Sequence, residues 1–142
     1  MPEVIDITDP DDDRVADFRD LNSVDRRPDL PSGKGLVIAE GVLVVQRMLA
    51  ARFVPHALLG TDRRLSELAD DLAGVDVPFY RASAEVMAAV IGFHLNRGVL
   101  AAARRPPELA VADVIAQART LAVLEGVNDH ENLGAILRNA AR

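Results

Sequence analysis

The sequence contains no cysteine and no tryptophan, and only one of its 142 residues is a tyrosine. Without cysteine the chain has no disulfide, no thiolate zinc site and no cysteine nucleophile, and this composition fits a reducing compartment. Long apolar stretches are also missing, because the longest, from Val86 to Phe93, is far shorter than the roughly 20 residues of a membrane-spanning helix. The acidic N-terminus does not match a signal peptide. We therefore expect a cytoplasmic protein with no membrane partner.

Negative charge is concentrated at the N-terminus. Residues 1–20 contain eight acidic and two basic side chains, so this segment alone accounts for the formal net charge of −6. Residues 21–142 are neutral, with 14 side chains of each sign, and Lys34 is the only lysine in the chain. An isoelectric point of about 5.0 is therefore compatible with an anionic partner for residues 21–142.

Short apolar runs alternate with helical segments along most of the chain. The runs predict strands at 36–39, 56–59, 77–80, 98–103 and 120–124. Apolar residues at helical spacing predict helices at 11–21, 42–52, 63–73, 83–91 and 111–117, with a last helix opening at Gly134. Ser83 and Gly92 are expected to cap their helix, and Pro78 favours an edge strand. This alternation predicts an α/β fold with a largely parallel sheet and helices on both faces.

Breaks in the pattern divide the chain into four parts. Residues 1–34 are expected to be an acidic, peripheral helix followed by a loop, and residues 35–105 a small α/β domain. Residues 106–118 are expected to be a linker with a short helix, and residues 119–142 the start of a second domain. Because the last helix is still running at Arg142 without a C-cap glycine, we expect this chain to be the N-terminal piece of a longer protein.

The motifs of several enzyme classes are missing. His56, His94 and His130 are too far apart in sequence for a zinc-binding motif, so we expect no metal. The chain has no nucleophile elbow, no P-loop and no dinucleotide-binding fingerprint. The acidic residues 11–13 are interpreted as an exposed helix start.

The most informative segment is the junction between the predicted strand 120–124 and the last helix. The carboxyl end of a parallel strand followed by a helix N-terminus is a common ligand-binding position in α/β proteins. Asn132 stands at a predicted N-cap, and Asn139, seven residues later, shares its helix face beside Arg138. A well-capped helix with one surface arginine is the alternative interpretation.

Residues 132–140, Asn-Leu-Gly-Ala-Ile-Leu-Arg-Asn-Ala, resemble the first signature, N-x-G-A-I-x-R-[TSN]-A, of the SpoU/TrmH class of RNA ribose methyltransferases. Upstream, residues 37–41 and 98–101 resemble two segments of the small substrate-binding domain found in front of many members. Arg97 stands where that domain usually has glutamine. The two resemblances together cover roughly residues 35–142.

The resemblance implies methyl transfer from S-adenosylmethionine to a ribose 2′-hydroxyl of rRNA or tRNA by a homodimer. It implies that Arg138 contacts RNA and helps to activate the hydroxyl, and that Asn132 helps to shape the site. Because a guanidinium stays protonated at neutral pH, we interpret Arg138 as orienting a phosphate and lowering the pKa of the hydroxyl, not as a base. The family builds its donor site in a trefoil knot from later signatures. We therefore expect residues 1–142 alone to contain no cofactor-binding residues and to be inactive.

The front domain resembles the α/β/α sandwich of kink-turn-binding ribosomal proteins, which implies a structured RNA partner recognised through shape, phosphates and 2′-hydroxyls. The candidate RNA contacts in predicted loops and near strand ends are Lys34, Arg63, Arg64, Arg81, Arg97, Arg104 and Arg105. A free-standing RNA-binding module without catalysis is the main alternative. A doubly wound small-molecule enzyme is disfavoured because Gly41 is the only glycine just after the first strand.

Overall fold

The computed structural model of the protein describes residues 1–21 and 35–141, which form two compact units, Met1–Pro106 and Pro107–Arg142. Almost all of the predicted loop 22–35 lies outside the described residues. The first unit contains a five-stranded sheet in the order β1-β4-β3-β5-β2. Its strands are Val4–Asp6 (β1), Leu36–Glu40 (β2), Val54–Gly60 (β3), Phe79–Arg81 (β4) and Val99–Arg104 (β5). The predicted α/β class is confirmed.

The sheet is mixed, not largely parallel. Strand β4 lies between β1 and β3 and is parallel to both, whereas β5 is antiparallel to its neighbours β3 and β2. The edge position predicted from Pro78 is therefore wrong. Pro78 precedes β4, and its carbonyl oxygen accepts a bond of 3.0 Å from the Leu58 N–H. Strands β1 to β4 end, and β5 begins, on the same side of the sheet. We call this side, which runs across the ends of the strands, the carboxyl edge.

Six helices accompany the strands in the part of the chain that the structure describes. They are a 3₁₀ helix, Asp13–Phe18, and the α-helices Val42–Ala50 (α1), Asp62–Glu67 (α2), Ala84–Ile91 (α3), Val111–Gln117 (α4) and His130–Ala140 (α5). Ser83 Oγ accepts a bond from the Val86 N–H, and Gly92 ends α3 in the left-handed conformation, so both predicted caps are confirmed. Helix α2 is shorter than predicted, because turns replace it after Glu67.

Two apolar layers enclose the sheet. On one face the 3₁₀ helix and α3 bury Val15, Phe18, Met87, Val90 and Ile91 against sheet residues that include Leu59, Leu100 and Ala102. On the other face α1 and the α2 region bury Val45, Met48, Leu68 and Leu72 against Leu58, Phe79, Val99, Ala101 and Ala103. Successive residues of a strand point to opposite faces, which is why neighbours such as Leu58 and Leu59 belong to different layers. The result is the predicted three-layer sandwich.

The N-terminal segment is part of this core, and its predicted peripheral position is wrong. Val4 pairs with Phe79, whose N–H donates to the carbonyl oxygen of Glu3 at 2.8 Å. Val15 and Phe18 are fully buried. Acidic side chains cover the outer surface of the segment while its apolar side chains complete one core layer.

Asp12 caps the 3₁₀ helix. The side chain of Arg14 donates to it at 2.7 and 3.0 Å, the Arg14 backbone N–H donates at 2.9 Å, and these bonds lower the pKa of Asp12 from 3.8 to about 2. A depressed carboxyl pKa stabilises the folded state above the ordinary pKa, and this contribution is lost as the pH falls toward the lower value. We expect Asp12→Asn to lower the melting temperature at pH 5, with the difference from wild type shrinking as the pH falls to 2 and disappearing below that pH. Asp13→Asn is the matched control, and an equal, equally pH-dependent loss there would contradict the assignment.

The second unit contains α4 and α5 and, in its described residues, no strand. The predicted strand 120–124 is therefore wrong, and this segment has irregular backbone with Val123 88% exposed. None of the described residues after Pro107 is buried. An apolar run forms a strand only when another strand pairs with it, and residues 107–141 supply none. No described helix has both the length and the hydropathy needed to cross a bilayer.

Candidate functional site

Six of the seven candidate RNA-contacting side chains lie in the described part of the chain, and Lys34 lies outside it. Four of them line two clefts at the carboxyl edge: Arg63, Arg64, Arg81 and Arg97. Arg104 ends β5 at the opposite edge, where the Arg105 N–H donates to the Gly35 carbonyl oxygen at 2.8 Å. The structure therefore divides the predicted cations between two ends of the sheet.

Arg81 is neutralised by two carboxylates. Its guanidinium donates to both oxygens of Asp6, at 2.7 and 3.1 Å, and to Asp62 at 3.1 Å. The bonds to Asp6 and Asp62 raise the pKa of Arg81, and the bond from Arg81 lowers the pKa of Asp6. Both carboxylates are largely exposed, so the cluster adds little to stability. It joins β1, β4 and α2 at this edge and leaves Arg81 with little capacity for a phosphate.

Arg63 and Arg64 share one partner, Glu67. Arg64 Nη1 lies 2.7 Å from a Glu67 oxygen and Arg63 Nε lies 3.3 Å from the other, and the bond from Arg64 is the main cause of the lowered pKa of Glu67. The Arg64 side chain packs on Gly98, where an added Cβ would lie 3.2 Å from its Cγ and Nε. Arg64 is thus fixed beside the first residue of β5 and remains partly exposed.

Arg97 is the least neutralised of the four. Its exposed side chain makes no hydrogen bond or ion pair with the residues that the structure describes. Its stem crosses Gly41, whose φ of +91° favours glycine and where a Cβ would lie 2.8 Å from Arg97 Cδ. Arg97 lines a cleft of about 320 Å³ together with Leu43 and Val44, which are also exposed. Among the four arginines described at the carboxyl edge, Arg97 is therefore the one whose guanidinium has no carboxylate partner in the described residues and can bind an anion.

Helix α5 begins earlier than predicted. Its N-cap is Asp129, which accepts a bond of 2.8 Å from the Glu131 N–H, so the predicted N-cap position of Asn132 is wrong. Asn132 lies in the first turn instead, and its amide nitrogen contacts the second oxygen of Asp129 at 3.4 Å. Asp129 thus accepts a hydrogen bond from a backbone N–H at the N-terminus of α5 and another from the Asn132 side-chain amide.

A cleft of about 590 Å³ lies beside the first turns of α5. Its polar lining consists of Asn128, Asp129, Asn132 and Asn139, and Ala135 and Ile136 line it between them. The predicted common face of Asn132 and Asn139 is therefore present. Arg138 lies on the neighbouring face, with its guanidinium over Gly134. The arrangement offers amide donors and acceptors in the cleft and a cation beside it.

No group of three or more histidine or acidic side chains in the described residues is arranged to hold a metal ion. Nor does any buried side-chain nitrogen or oxygen in that part of the chain lack a hydrogen-bond partner.

Comparison with known proteins places the chain beside RNA-modifying enzymes. Over 139 residues, 98% of this chain, the sequence is 78% identical to an uncharacterized tRNA/rRNA methyltransferase of Mycobacterium bovis. A protein of the same description from Mycobacterium tuberculosis matches equally well. The sequence is therefore similar to part of two proteins that are described as tRNA/rRNA methyltransferases. It spans about half the length of these relatives, 48% of each.

The fold of this chain is also found in solved structures. An rRNA methyltransferase from Sinorhizobium meliloti matches 75% of this chain and 39% of its own, with a TM-score of 0.55 and 16% identity. An AdoMet-bound rRNA methyltransferase from the same organism matches 74% of this chain and 38% of its own, with a TM-score of 0.50 and 15% identity. No model of a protein family matches the sequence. The predicted relationship to RNA methyltransferases is confirmed by the curated relatives, and these structures show a shared fold.

Sequence reasoning assigned no site role to three residues that contribute to these sites: Asp129, Gly41 and Gly134. Asp129 had a recognisable signal, because aspartate is a favoured N-cap and it lies three residues before Asn132. Gly134 also had one, because it is four residues before Arg138 on a predicted helix, whereas only the folded chain brings Arg97 against Gly41.

Proposed function

We propose that the full-length protein to which this chain belongs transfers a methyl group from S-adenosylmethionine to a ribose 2′-hydroxyl of rRNA or tRNA. In this proposal the first unit binds the substrate RNA through residues 35–105, with β1 and the 3₁₀ helix as part of its core. Residues 119–142 begin the catalytic domain after a linker, 106–118. The observation that carries it is the 78% identity to tRNA/rRNA methyltransferases, which extends over 98% of the chain. The protein acts in the cytoplasm, as a homodimer of the SpoU/TrmH class.

The carboxyl edge is the proposed RNA-binding surface. Arg97 makes the main phosphate contact, because Arg63 and Arg64 share Glu67 and Arg81 is held by Asp6 and Asp62. The exposed apolar side chains beside Arg97 suit an unpaired part of a structured RNA, which proteins read by packing and backbone contacts. Arg104 and Arg105 lie at the other edge and are not assigned to this surface.

Helix α5 supplies the proposed catalytic residues. Arg138 donates hydrogen bonds to the phosphate next to the reacting ribose and lowers the pKa of its 2′-hydroxyl through its positive charge. The Asn132 amide, held by Asp129, lines the cleft with its remaining hydrogen-bonding capacity and orients the ribose. The helix therefore activates and positions the acceptor hydroxyl.

S-adenosylmethionine supplies the methyl group when it is bound. A ligand of this size usually has most of its surface buried in its site, whereas every described residue after Pro107 is at least partly exposed. The residues beside α5 therefore do not fit the donor by themselves. We propose that its site requires residues outside 1–142 and that the 142-residue chain alone is inactive. Isothermal titration of this chain with S-adenosylmethionine is expected to give no heat of binding, and micromolar affinity would contradict the proposal.

Mapping of 2′-O-methylation tests the activity of the full-length protein. We expect a strain without the gene to lose methylation of a ribose in rRNA or tRNA, and the purified full-length protein with S-adenosylmethionine to restore it on the extracted RNA. An unchanged map in both rRNA and tRNA would argue against the enzyme. Retained RNA binding with an unchanged map would favour the non-catalytic RNA-binding module.

Arg97 is expected to contribute to RNA affinity in the 142-residue chain. Arg97→Ala should weaken binding of a structured rRNA fragment about 10- to 100-fold, since a charge-assisted hydrogen bond contributes about 1.5–3 kcal/mol. The slope of log affinity against log salt concentration should become less negative by about 0.7 to 0.9, as expected for one lost phosphate contact. Arg104→Ala is the matched control at the opposite edge and should leave both quantities unchanged. Equal losses in the two variants would exclude the carboxyl edge as the binding surface.

A further inference from the structure

Gly134 and Arg138 lie one above the other on α5. They are four residues apart, so they share a helix face, and long side chains in a helix point back toward its N-terminus. An added Cβ at Gly134 would lie 3.1 Å from Arg138 Nη1, 3.9 Å from its Cζ and 4.0 Å from its Nη2. The guanidinium therefore lies over the bare backbone of Gly134, toward the end of the helix that carries Asn132.

The helix itself does not require glycine at this position. The φ of Gly134 is outside the left-handed region that Gly41 and Gly98 occupy, so an alanine fits the backbone there. Glycine inside a helix also destabilises it relative to alanine. Apart from the backbone of α5 itself and the residues adjacent in sequence, the three atoms nearest to a methyl group placed on Gly134 all belong to Arg138. The specific contribution of Gly134 is thus the space that it leaves for the guanidinium.

We infer that Gly134 is a positioning residue for Arg138. Because glycine has no side chain, the Arg138 guanidinium can lie against the surface of α5 one turn before Arg138 itself. A methyl group at position 134 requires the guanidinium to move by a few tenths of an ångström. This inference rests on the role proposed for Arg138. It also explains why a residue that weakens the helix stands in its middle.

A double-mutant cycle in the full-length protein tests the inference. Gly134→Ala is expected to lower the rate of methyl transfer at saturating RNA about tenfold, because small misplacements of a catalytic group are costly. The same change should raise the melting temperature by about 2 °C, because alanine favours the helix. A purely structural role for the glycine would not combine a slower reaction with a more stable protein.

Arg138→Ala provides the matched background for this cycle. If Gly134 acts through Arg138, adding Gly134→Ala to Arg138→Ala should change the residual rate less than twofold. An unchanged rate in Gly134→Ala, or the same tenfold loss in both backgrounds, would overturn the inference.

A measurement without catalysis separates this inference from the proposed function. In the NMR spectrum of the isotope-labelled 142-residue chain, we expect a nuclear Overhauser contact between the Gly134 α-protons and the Arg138 Nε–H. The Arg138 Nε–H resonance should shift in Gly134→Ala. If the full-length protein methylates no RNA but these signals are present, the proposed function fails and the positioning role stands. If the contact is absent, the positioning role fails whatever the activity.

Discussion

Replacing Arg138 with alanine in the full-length protein is expected to lower the rate of methyl transfer at saturating RNA about 100- to 1,000-fold. A preorganised donor that stabilises charge developing in the transition state typically contributes this much. Arg138 lies beside a cleft lined by Asn132 and Asn139, and its guanidinium makes no ion pair with the described residues. Its donors are thus available to the RNA. Single-turnover transfer of a labelled methyl group measures the rate directly.

Two further variants define what Arg138 does. Arg138→Lys keeps the charge but loses the planar fork of donors, so it should recover less than a tenth of the lost rate. Arg119→Ala removes an exposed arginine outside α5 and should leave the rate within twofold of wild type. Full activity in Arg138→Ala would refute the catalytic assignment.

Phe18→Ala is expected to lower the free energy of unfolding by about 3–5 kcal/mol, the usual range for a fully buried phenylalanine. Phe18 is completely buried in the layer that the 3₁₀ helix and α3 form against the sheet. A domain of this size has a total stability of only about 5–15 kcal/mol, so the variant should be close to unfolding at 37 °C. Urea denaturation at 25 °C measures the loss, and we expect the variant and the wild type to have nearly the same m-value.

Leu43→Ala is the matched control for Phe18→Ala. Leu43 is also a large apolar residue of the first unit but is 60% exposed, so its truncation should change the stability by about 0.5 kcal/mol or less. A loss below about 1 kcal/mol for Phe18→Ala would show that the N-terminal segment is not part of the core.

The strands and helices that the sequence predicts correctly are those with a local sequence pattern. The strand at 36–39 was recognised from an apolar, β-branched run, and α3 from its serine cap and glycine stop. Each of these signals acts within one turn or one strand of the chain, so no knowledge of distant residues was needed.

The errors involve partners that are distant in sequence. β1 has only three residues, one of them acidic, and it exists because Val4 pairs with Phe79. Conversely, residues 120–124 have strand-like composition but no pairing strand in the described part of the chain. Pairing across many residues decides both cases, and a local pattern contains no information about it.

The candidate site shows the same limit. The sequence correctly predicts that Arg81, Arg97 and Arg104 lie near strand ends. Because β5 is antiparallel to its neighbours, its beginning lies at the carboxyl edge and its end at the opposite one, so Arg97 shares the carboxyl edge with Arg81 and Arg104 does not. The neutralisation of Arg81 also depends on Asp6, 75 residues earlier in the chain. The sequence favours Arg97 because it precedes Gly98 at a position of the family resemblance. Residue type alone does not reveal pairing, so the carboxylate partners of Arg63, Arg64 and Arg81 are evident only in the folded structure.

The position of β1 has a consequence for the order of events during synthesis. Its pairing partner β4 emerges from the ribosome about 75 residues later, several seconds at ordinary translation rates of about 5–20 residues per second. Until then Val15 and Phe18 have no α3 to pack against, and the first 20 residues, with their net charge of −6, remain a hydrated acidic segment. The N-terminal strand therefore stays unpaired until β4 has been made, and the sheet is complete only after β5, the partner of both β2 and β3, has followed.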